Sequence, residues 1–182
     1  MGGAMRPGQL QHVLLVNDLR CRILRAARER GLELVEWRDQ GALARYVHEA
    51  GAIPDGYFVL RRQADVRTGT AAHFLEAERS PRERATMLAK YRKLTAFFTS
   101  GSYAEIFGRR SLRILVVTSD LNVKAEEAWA RRLCKLAEKA GMYFGLFASA
   151  RRFLAIDPEQ LFRERIWLAP GTPELQALGE LE

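Results

Sequence analysis

Three acidic residues stand at the ends of two short apolar runs. Asp55, between a proline and a glycine, precedes the run 57–60, and Glu76 and Glu78 close the run 72–75. Because alternate residues of a strand face the same side, Glu76 and Glu78 are expected to point the same way, roughly 7 Å apart. Carboxylate oxygens are ligands that Mg²⁺ and Mn²⁺ take, and such an ion activates water and stabilises a phosphodiester transition state. The pattern therefore predicts a divalent-cation site suited to phosphodiester hydrolysis.

Two interpretations of these acids stay open on spacing alone. In the first, Lys90, at the edge of the apolar face of the next predicted helix, reaches over the sheet edge toward the carboxylates. In the second, the acids are the solvated end of a strand beside an ordinary Pro-Asp-Gly turn, and Lys90 pairs with a helix acid such as Glu83. His73 alternates away from Glu76 and is interpreted as a structural or surface residue.

Helices and strands that would position these side chains follow from the hydrophobic periodicity. Helices are predicted over 12–30, within 39–53, over 80–98 from a Ser80–Glu83 capping box, over 122–140 from an Asn122 cap, and over 157–165. Strands are predicted over 32–37, 57–61, 71–78, 112–118 and 142–148, with a hairpin connection over 63–70 and a loop over 100–111.

The order of these elements is α-β-β-β-α-β-α-β, followed by a short helix. Three adjacent strands and then strand-helix-strand crossovers predict an α/β fold, with a mixed sheet flanked by helices. The domain is expected to be single and to span 12–168, after a flexible leader over 1–11 and before a loose tail over 169–182.

Positive charge is in excess: 29 Lys and Arg stand against 22 Asp and Glu, a net charge of +7. This balance favours an anionic partner such as DNA, and the alternative is a soluble domain rich in arginine. Arginine makes bidentate contacts with phosphate. The candidate DNA contacts are Arg61, Arg62, Arg79, Arg109 and Arg110.

Several other classes of protein are excluded by composition. No apolar run approaches the roughly 20 residues of a membrane span, and the first residues lack the apolar core of a signal peptide, so a cytoplasmic protein is expected. Cys21 and Cys134 form no CxxC motif, which argues against zinc, and both are interpreted as reduced core residues.

Five stretches, taken in order and spacing, resemble the replication-relaxation protein family of bacterial plasmids and mobile elements. They are HVLLVNDLR over 12–20, Glu36-Trp37, Pro54-Asp55-Gly56, FLEAER over 74–79, and Lys90-Tyr91. The resemblance runs from about His12 to Trp167. Larger members carry a winged-helix DNA-binding segment ahead of this region, for which the chain is expected to have no room.

The element order and the acidic pattern also resemble the PD-(D/E)XK nuclease fold, with its αβββαβ restriction-endonuclease-like core, here followed by a further α-β-α. That resemblance implies Asp55 and Glu76 as Mg²⁺ or Mn²⁺ ligands, with Asp39 or Glu36 as an upstream acid. Glu78 stands where the fold usually has lysine, and Lys90 on the following helix is the candidate replacement.

Three functional hypotheses follow. The first is a Mg²⁺-dependent nuclease-like domain acting on plasmid or mobile-element DNA, with Asp55, Glu76, Glu78 and Lys90 in the catalytic site. The second is a non-catalytic DNA-binding or replication-accessory module on a degenerate nuclease fold. The third is a protein-interaction module, in which the 142–148 strand and Trp167 dock a protein partner or a second copy of the chain.

Overall fold

Seven strands form one sheet in which the order across the sheet is the order along the chain. The computed structural model describes residues 7–47, 51–62, 69–79, 83–120 and 122–179. The strands are β1 (Leu32–Asp39), β2 (Gly56–Arg62), β3 (Thr70–Glu78), β4 (Arg113–Thr118), β5 (Gly145–Ser149), β6 (Trp167–Ala169) and β7 (Thr172–Gln176).

The pairing of neighbouring strands changes from antiparallel to parallel at β3, and back to antiparallel after β5. The first three strands form an antiparallel meander, whereas β3, β4 and β5 are parallel to one another. Parallel neighbours need a crossover, and helices supply both crossovers here. β6 then pairs antiparallel with β5, and β7 with β6. The predicted α/β class, with a mixed sheet flanked by helices, is confirmed.

Six α-helices and one 3₁₀ turn are found in the described part of the chain. They are α1 (Pro7–Glu29), α2 (Gln40–Val47), α3 (Arg84–Thr99), α4 (Ser102–Phe107), α5 (Val123–Lys139), α6 (Ala150–Ala155) and the 3₁₀ turn Pro158–Gln160. The predicted cap of α5 is confirmed, since the Asn122 side chain accepts hydrogen bonds from the backbone of Lys124 and Ala125. None of the described helices is long and apolar enough to cross a membrane.

Two apolar cores lie on the two faces of the sheet. One packs α1, α6 and the segment around Phe162 against residues such as Leu75 and Ala77 of β3. The other packs α2, α3, α4 and α5 against residues such as Phe74. Since Glu76 and Glu78 alternate with Leu75 and Ala77, they belong to the α3 side of the sheet.

Part of the predicted leader and part of the predicted tail belong to regular elements of the fold. Helix α1 begins at Pro7, a favourable first helical residue, so residues 7–11 are helical rather than part of a flexible leader. The predicted tail contains the β6–β7 hairpin, in which Trp167 pairs with Gln176, and Leu178 beyond it is buried. Contacts distant in the sequence hold both ends, which local patterns do not reveal.

Two helices, α4 and α6, lie where the sequence predicted no helix. Residues 102–107, expected to be loop, form α4, which is bracketed by Gly101 and Gly108 with positive φ and is held by the buried side chain of Tyr103. Helix α6 starts directly after β5, before the predicted helix at 157–165, where only the 3₁₀ turn forms. Ser80 to Arg82 of the predicted capping box, and 63–68 of the predicted hairpin connection, lie outside the described residues.

Two expectations about exposure agree with the structure only in part. β5 and Trp167 are buried, whereas Tyr143, within the predicted 142–148 strand, is exposed, and docking of a partner there stays a prediction. Cys21, predicted in the core, is exposed on α1, and Cys134 is partly buried; both are free thiols.

Candidate active site

The antiparallel pairing of β2 and β3 places Asp55 beside the end of β3. Gly56 is the register partner of Leu75, and the backbone amide of Asp55 donates to the Leu75 carbonyl at 3.0 Å. Because β3 runs the opposite way, its last residues, Glu76 and Glu78, meet the start of β2 at one edge of the sheet. The topology therefore brings together acids that are some twenty residues apart in the chain.

Lys90 of α3 lies between the two glutamates. Its Nζ donates to Glu76 Oε2 at 2.6 Å and to Glu78 Oε1 at 2.8 Å. Met87 and Tyr91, also on α3, are buried and fix this face of the helix against the sheet. The two carboxylates are almost fully buried, and 17% of the Lys90 side chain is exposed. The interpretation in which Lys90 reaches these carboxylates agrees with this geometry.

Burial and charge act against each other in this cluster. Burial raises the pKa of Glu76 to about 7, although the Lys90 charge opposes the rise. Burial by itself lowers the pKa of Lys90, but the charges of Glu76 and Glu78 outweigh it and raise that pKa overall. Lys90 therefore stays charged at neutral pH. Glu76 Oε1 is buried and has no hydrogen-bond partner among the described residues.

Asp55 is held by two donors from different elements. Its Oδ2 accepts from the backbone amide of Ala77 at 2.8 Å, and its Oδ1 lies 3.1 Å from Nε2 of His12 on α1. The hydrogen bond to Asp55 raises the pKa of His12, and burial opposes it. No sequence signal marks His12 as a member of the site, because its contact depends on how α1 packs across the sheet.

A cleft of about 1230 Å³ opens over this cluster. Its walls are the first turns of α1, the residues before β2 and the exposed side of α3. Arg79 lines it and donates to the Gly8 carbonyl at 2.8 Å and to the Gln11 side chain at 2.5 Å. Lys93, exposed and one turn beyond Lys90, also lines it. The cleft thus presents three cationic side chains beside buried carboxylates.

The upstream acids lie outside this group. Asp39 pairs with Gly56 across the β1–β2 ladder, yet its Oδ1 accepts from the backbone amide of Ala42 at 2.8 Å and so caps α2. Glu36 forms an ion pair with Arg38 at 2.5 Å. Neither is among the described residues that line the cleft.

Of the five arginines predicted to contact DNA, Arg79 alone lies at this edge of the sheet. Arg61 and Arg62 end β2, and Arg109 and Arg110 precede β4, at the far end of β3, about 26 Å away by strand rise. Arg61 there forms an ion pair with Glu33 at 2.7 Å, and Arg109 donates to Thr70 Oγ1.

The cluster supplies carboxylate oxygens without a complete set of metal ligands from the described part of the chain. Among the described residues, no group of three or more His, Cys, Asp or Glu side chains is arranged to hold a metal ion. The carboxylates of Asp55 and Glu76 nevertheless supply the oxygen donors that Mg²⁺ prefers, and Glu76 Oε1 is a buried acceptor without a partner in the described chain. Asp55 and Glu76 are therefore the candidate cation ligands of this cluster.

Comparison with known proteins finds no match, so the geometry of the site is the basis for assigning a function. No family model matches the chain, and no match is found among curated proteins or solved structures.

Proposed function

We propose that this chain is a DNA-associated, Mg²⁺-dependent nuclease-like domain of the replication-relaxation type, acting on plasmid or mobile-element DNA. The observation that carries the proposal is the convergence of Asp55, Glu76, Glu78 and Lys90 at one sheet edge, in a cleft of about 1230 Å³. A restriction-endonuclease-like core, in which one strand brings an aspartate to a pair of acids on the next, is part of the proposal. Strongly perturbed carboxyl and amino groups in a cleft favour a functional site over a solvated strand end.

Asp55 and Glu76 would hold the cation, and a Mg²⁺ bound there would supply an activated water and a charge opposite the phosphate. Lys90, whose charge is stabilised by Glu76 and Glu78, would orient the attacking water and stabilise the negative charge that develops on the phosphoryl oxygens. Glu78 would fix the position of Lys90 from its second side. His12 and the Ala77 amide would set the orientation of the Asp55 carboxylate.

A second candidate function, a non-catalytic DNA-binding module, is favoured by a different observation. Both oxygens of Asp55 have donors, and Lys90 pairs with both glutamates, so much of the buried charge is balanced within the protein. In this alternative the cluster joins α1 and α3 to the sheet, and the net charge of +7 provides attraction to DNA.

The experiment that separates the two is cleavage of supercoiled plasmid in Mg²⁺ or Mn²⁺. We expect Asp55→Asn and Glu76→Gln to slow nicking at least roughly a hundredfold, the scale of loss when a positioned catalytic group is removed. Glu105→Gln, at an exposed site on α4, is the control and should cleave like the wild type. Circular dichroism would verify that each variant is folded.

Two results would contradict the nuclease proposal. One is a wild-type protein that binds plasmid DNA without metal-dependent nicking, which is the behaviour of the second candidate. The other is nicking that survives both Asp55→Asn and Glu76→Gln.

A further inference from the structure

A second cavity, of about 550 Å³, lies at the end of the sheet opposite the cleft. Its lining comes from the starts of β3 and β4, from Leu32 and Leu60, and from Phe162 and Leu178 of the C-terminal segment. It belongs mainly to the α1 side of the sheet, since most of its apolar lining is part of that core. The proposed nuclease chemistry uses none of these residues.

The walls of this cavity combine polar and apolar surface in similar amounts. Leu32, Leu60, Leu112, Phe162 and Leu178 line it and are themselves buried. Cavities of roughly 300–1,000 Å³ are typical of sites for small molecules. Walls that combine polar and apolar surface suit a ligand with both a polar group and a hydrocarbon body.

His73 is an uncharged polar residue in the lining of the cavity. Its ring stacks on Phe58 with centroids 4.6 Å apart, and the residue is almost fully buried. Burial, with the charge of Arg113 acting in the same direction, lowers the pKa of His73 to about 3, so the imidazole is uncharged at neutral pH.

One cation stands at the opening. Arg113 is exposed, is the register partner of His73 and lines the cavity. Its Nη1 donates to the Leu178 carbonyl at 2.9 Å, which fixes the guanidinium and leaves further N–H donors for a ligand. Among the described residues that line the cavity, Arg113 carries a charge at neutral pH and no aspartate or glutamate is found.

We propose that this cavity binds a small amphipathic carboxylate, with the carboxylate on Arg113 and the hydrocarbon body against the buried leucines and Phe162. A guanidinium recognises a carboxylate through two parallel hydrogen bonds, which a neutral alcohol cannot reproduce. Acetate would satisfy Arg113 but leave the apolar walls without a partner, and so would bind weakly.

Titration calorimetry of the full chain with sodium octanoate tests this proposal, with 1-octanol and acetate as comparison ligands. We expect octanoate to bind at least about tenfold more tightly than either. Two variants probe the two halves of the site: Arg113→Gln removes the charge, and Ala71→Leu places a larger side chain among the lining residues. Each should weaken octanoate binding about tenfold, the scale of one charge-assisted hydrogen bond.

Arg110→Gln is the matched control, because Arg110 is exposed nearby and is not among the lining residues described. It should bind octanoate like the wild type. The proposal is overturned if the wild type does not bind octanoate, if 1-octanol binds equally well, or if Arg113→Gln binds without loss. Octanoate binding does not involve Asp55 or Glu76, so either proposal can fail while the other stands.

Discussion

At the scale of single residues, the cluster around Lys90 places more negative than positive charge in a buried space. Two glutamates share one ammonium, and one oxygen of Glu76 has no partner in the described chain. Taking charges out of water is costly, and removing one member of a buried pair leaves the other uncompensated. Lys90 is therefore needed to hold both acids whether or not the site is catalytic, and loss of activity in a Lys90 variant would not by itself identify a catalytic group.

The pH dependence of stability reports on Glu76. Its pKa is about 7 in the folded protein and near 4.5 when unfolded, so the folded state keeps the proton longer. The contribution of Glu76 to the free energy of unfolding is fully present below about pH 4.5 and is lost as the pH rises to about 7. The glutamine of Glu76→Gln does not titrate, so this variant does not lose stability in that way. Its free energy of unfolding relative to wild type should therefore rise by up to roughly 3 kcal/mol across that window, at about 1.4 kcal/mol per pH unit. Urea unfolding at a series of pH values measures it.

Glu105→Gln serves as the control for that series, since Glu105 is exposed. It makes the same chemical change as Glu76→Gln at a site outside the buried cluster. A stability difference from wild type that stays constant with pH for Glu76→Gln would mean that Glu76 titrates alike in the folded and unfolded chain, contrary to its burial.

At the scale of elements, the sequence predicted those helices and strands whose residue spacing is set by their own local pattern. The α5 stripe of Ala130, Leu133 and Ala137 and the apolar run of β4 were found because their spacing is set by their own helix or strand. Helix α4 and the β6–β7 hairpin were missed because they are too short to show a period and depend on contacts such as Tyr103 in the second core. The same distinction applies to the candidate site. Strand alternation predicted that Glu76 and Glu78 face the same side, whereas the contact between His12 and Asp55 depends on how the whole of α1 packs and was not predicted.

Helix α1 depends on Arg79 for its first turns. Arg79 donates to the Gly8 carbonyl and the Gln11 side chain, so Arg79→Gln should release the start of the helix and accelerate amide exchange over the first two turns about tenfold or more. Hydrogen exchange followed by NMR measures this. Arg25→Gln, on the same helix and in an i,i+4 ion pair with Glu29, should leave those amides unchanged. Equal protection in wild type and Arg79→Gln would show that contacts other than those of Arg79 hold this end.

At the scale of the whole molecule, positive charge lies at both ends of the sheet. One end has the cleft with Arg79, Lys90 and Lys93, and the other has arginines before β4 and at the end of β2. About 26 Å of strand separates them. A nuclease-like site acts on DNA that enters the cleft, so the proposed function predicts DNA contacts at that end of the sheet.

The salt dependence of DNA binding distinguishes the two ends. Each phosphate contact releases counterions and adds about 0.9 to the slope of log affinity against log salt concentration. Lys93 is exposed on the cleft wall, and its Nζ makes one long hydrogen bond, 3.4 Å, to the Gly51 carbonyl, so it is available to a phosphate without holding the fold. We therefore expect Lys93→Gln to weaken binding of a short duplex and to reduce the slope by about one, and Arg110→Gln to change neither. Fluorescence anisotropy across a series of salt concentrations measures both slopes. The reverse pattern would place DNA at the far end of the sheet, away from the buried acids, and would favour the non-catalytic module over the nuclease.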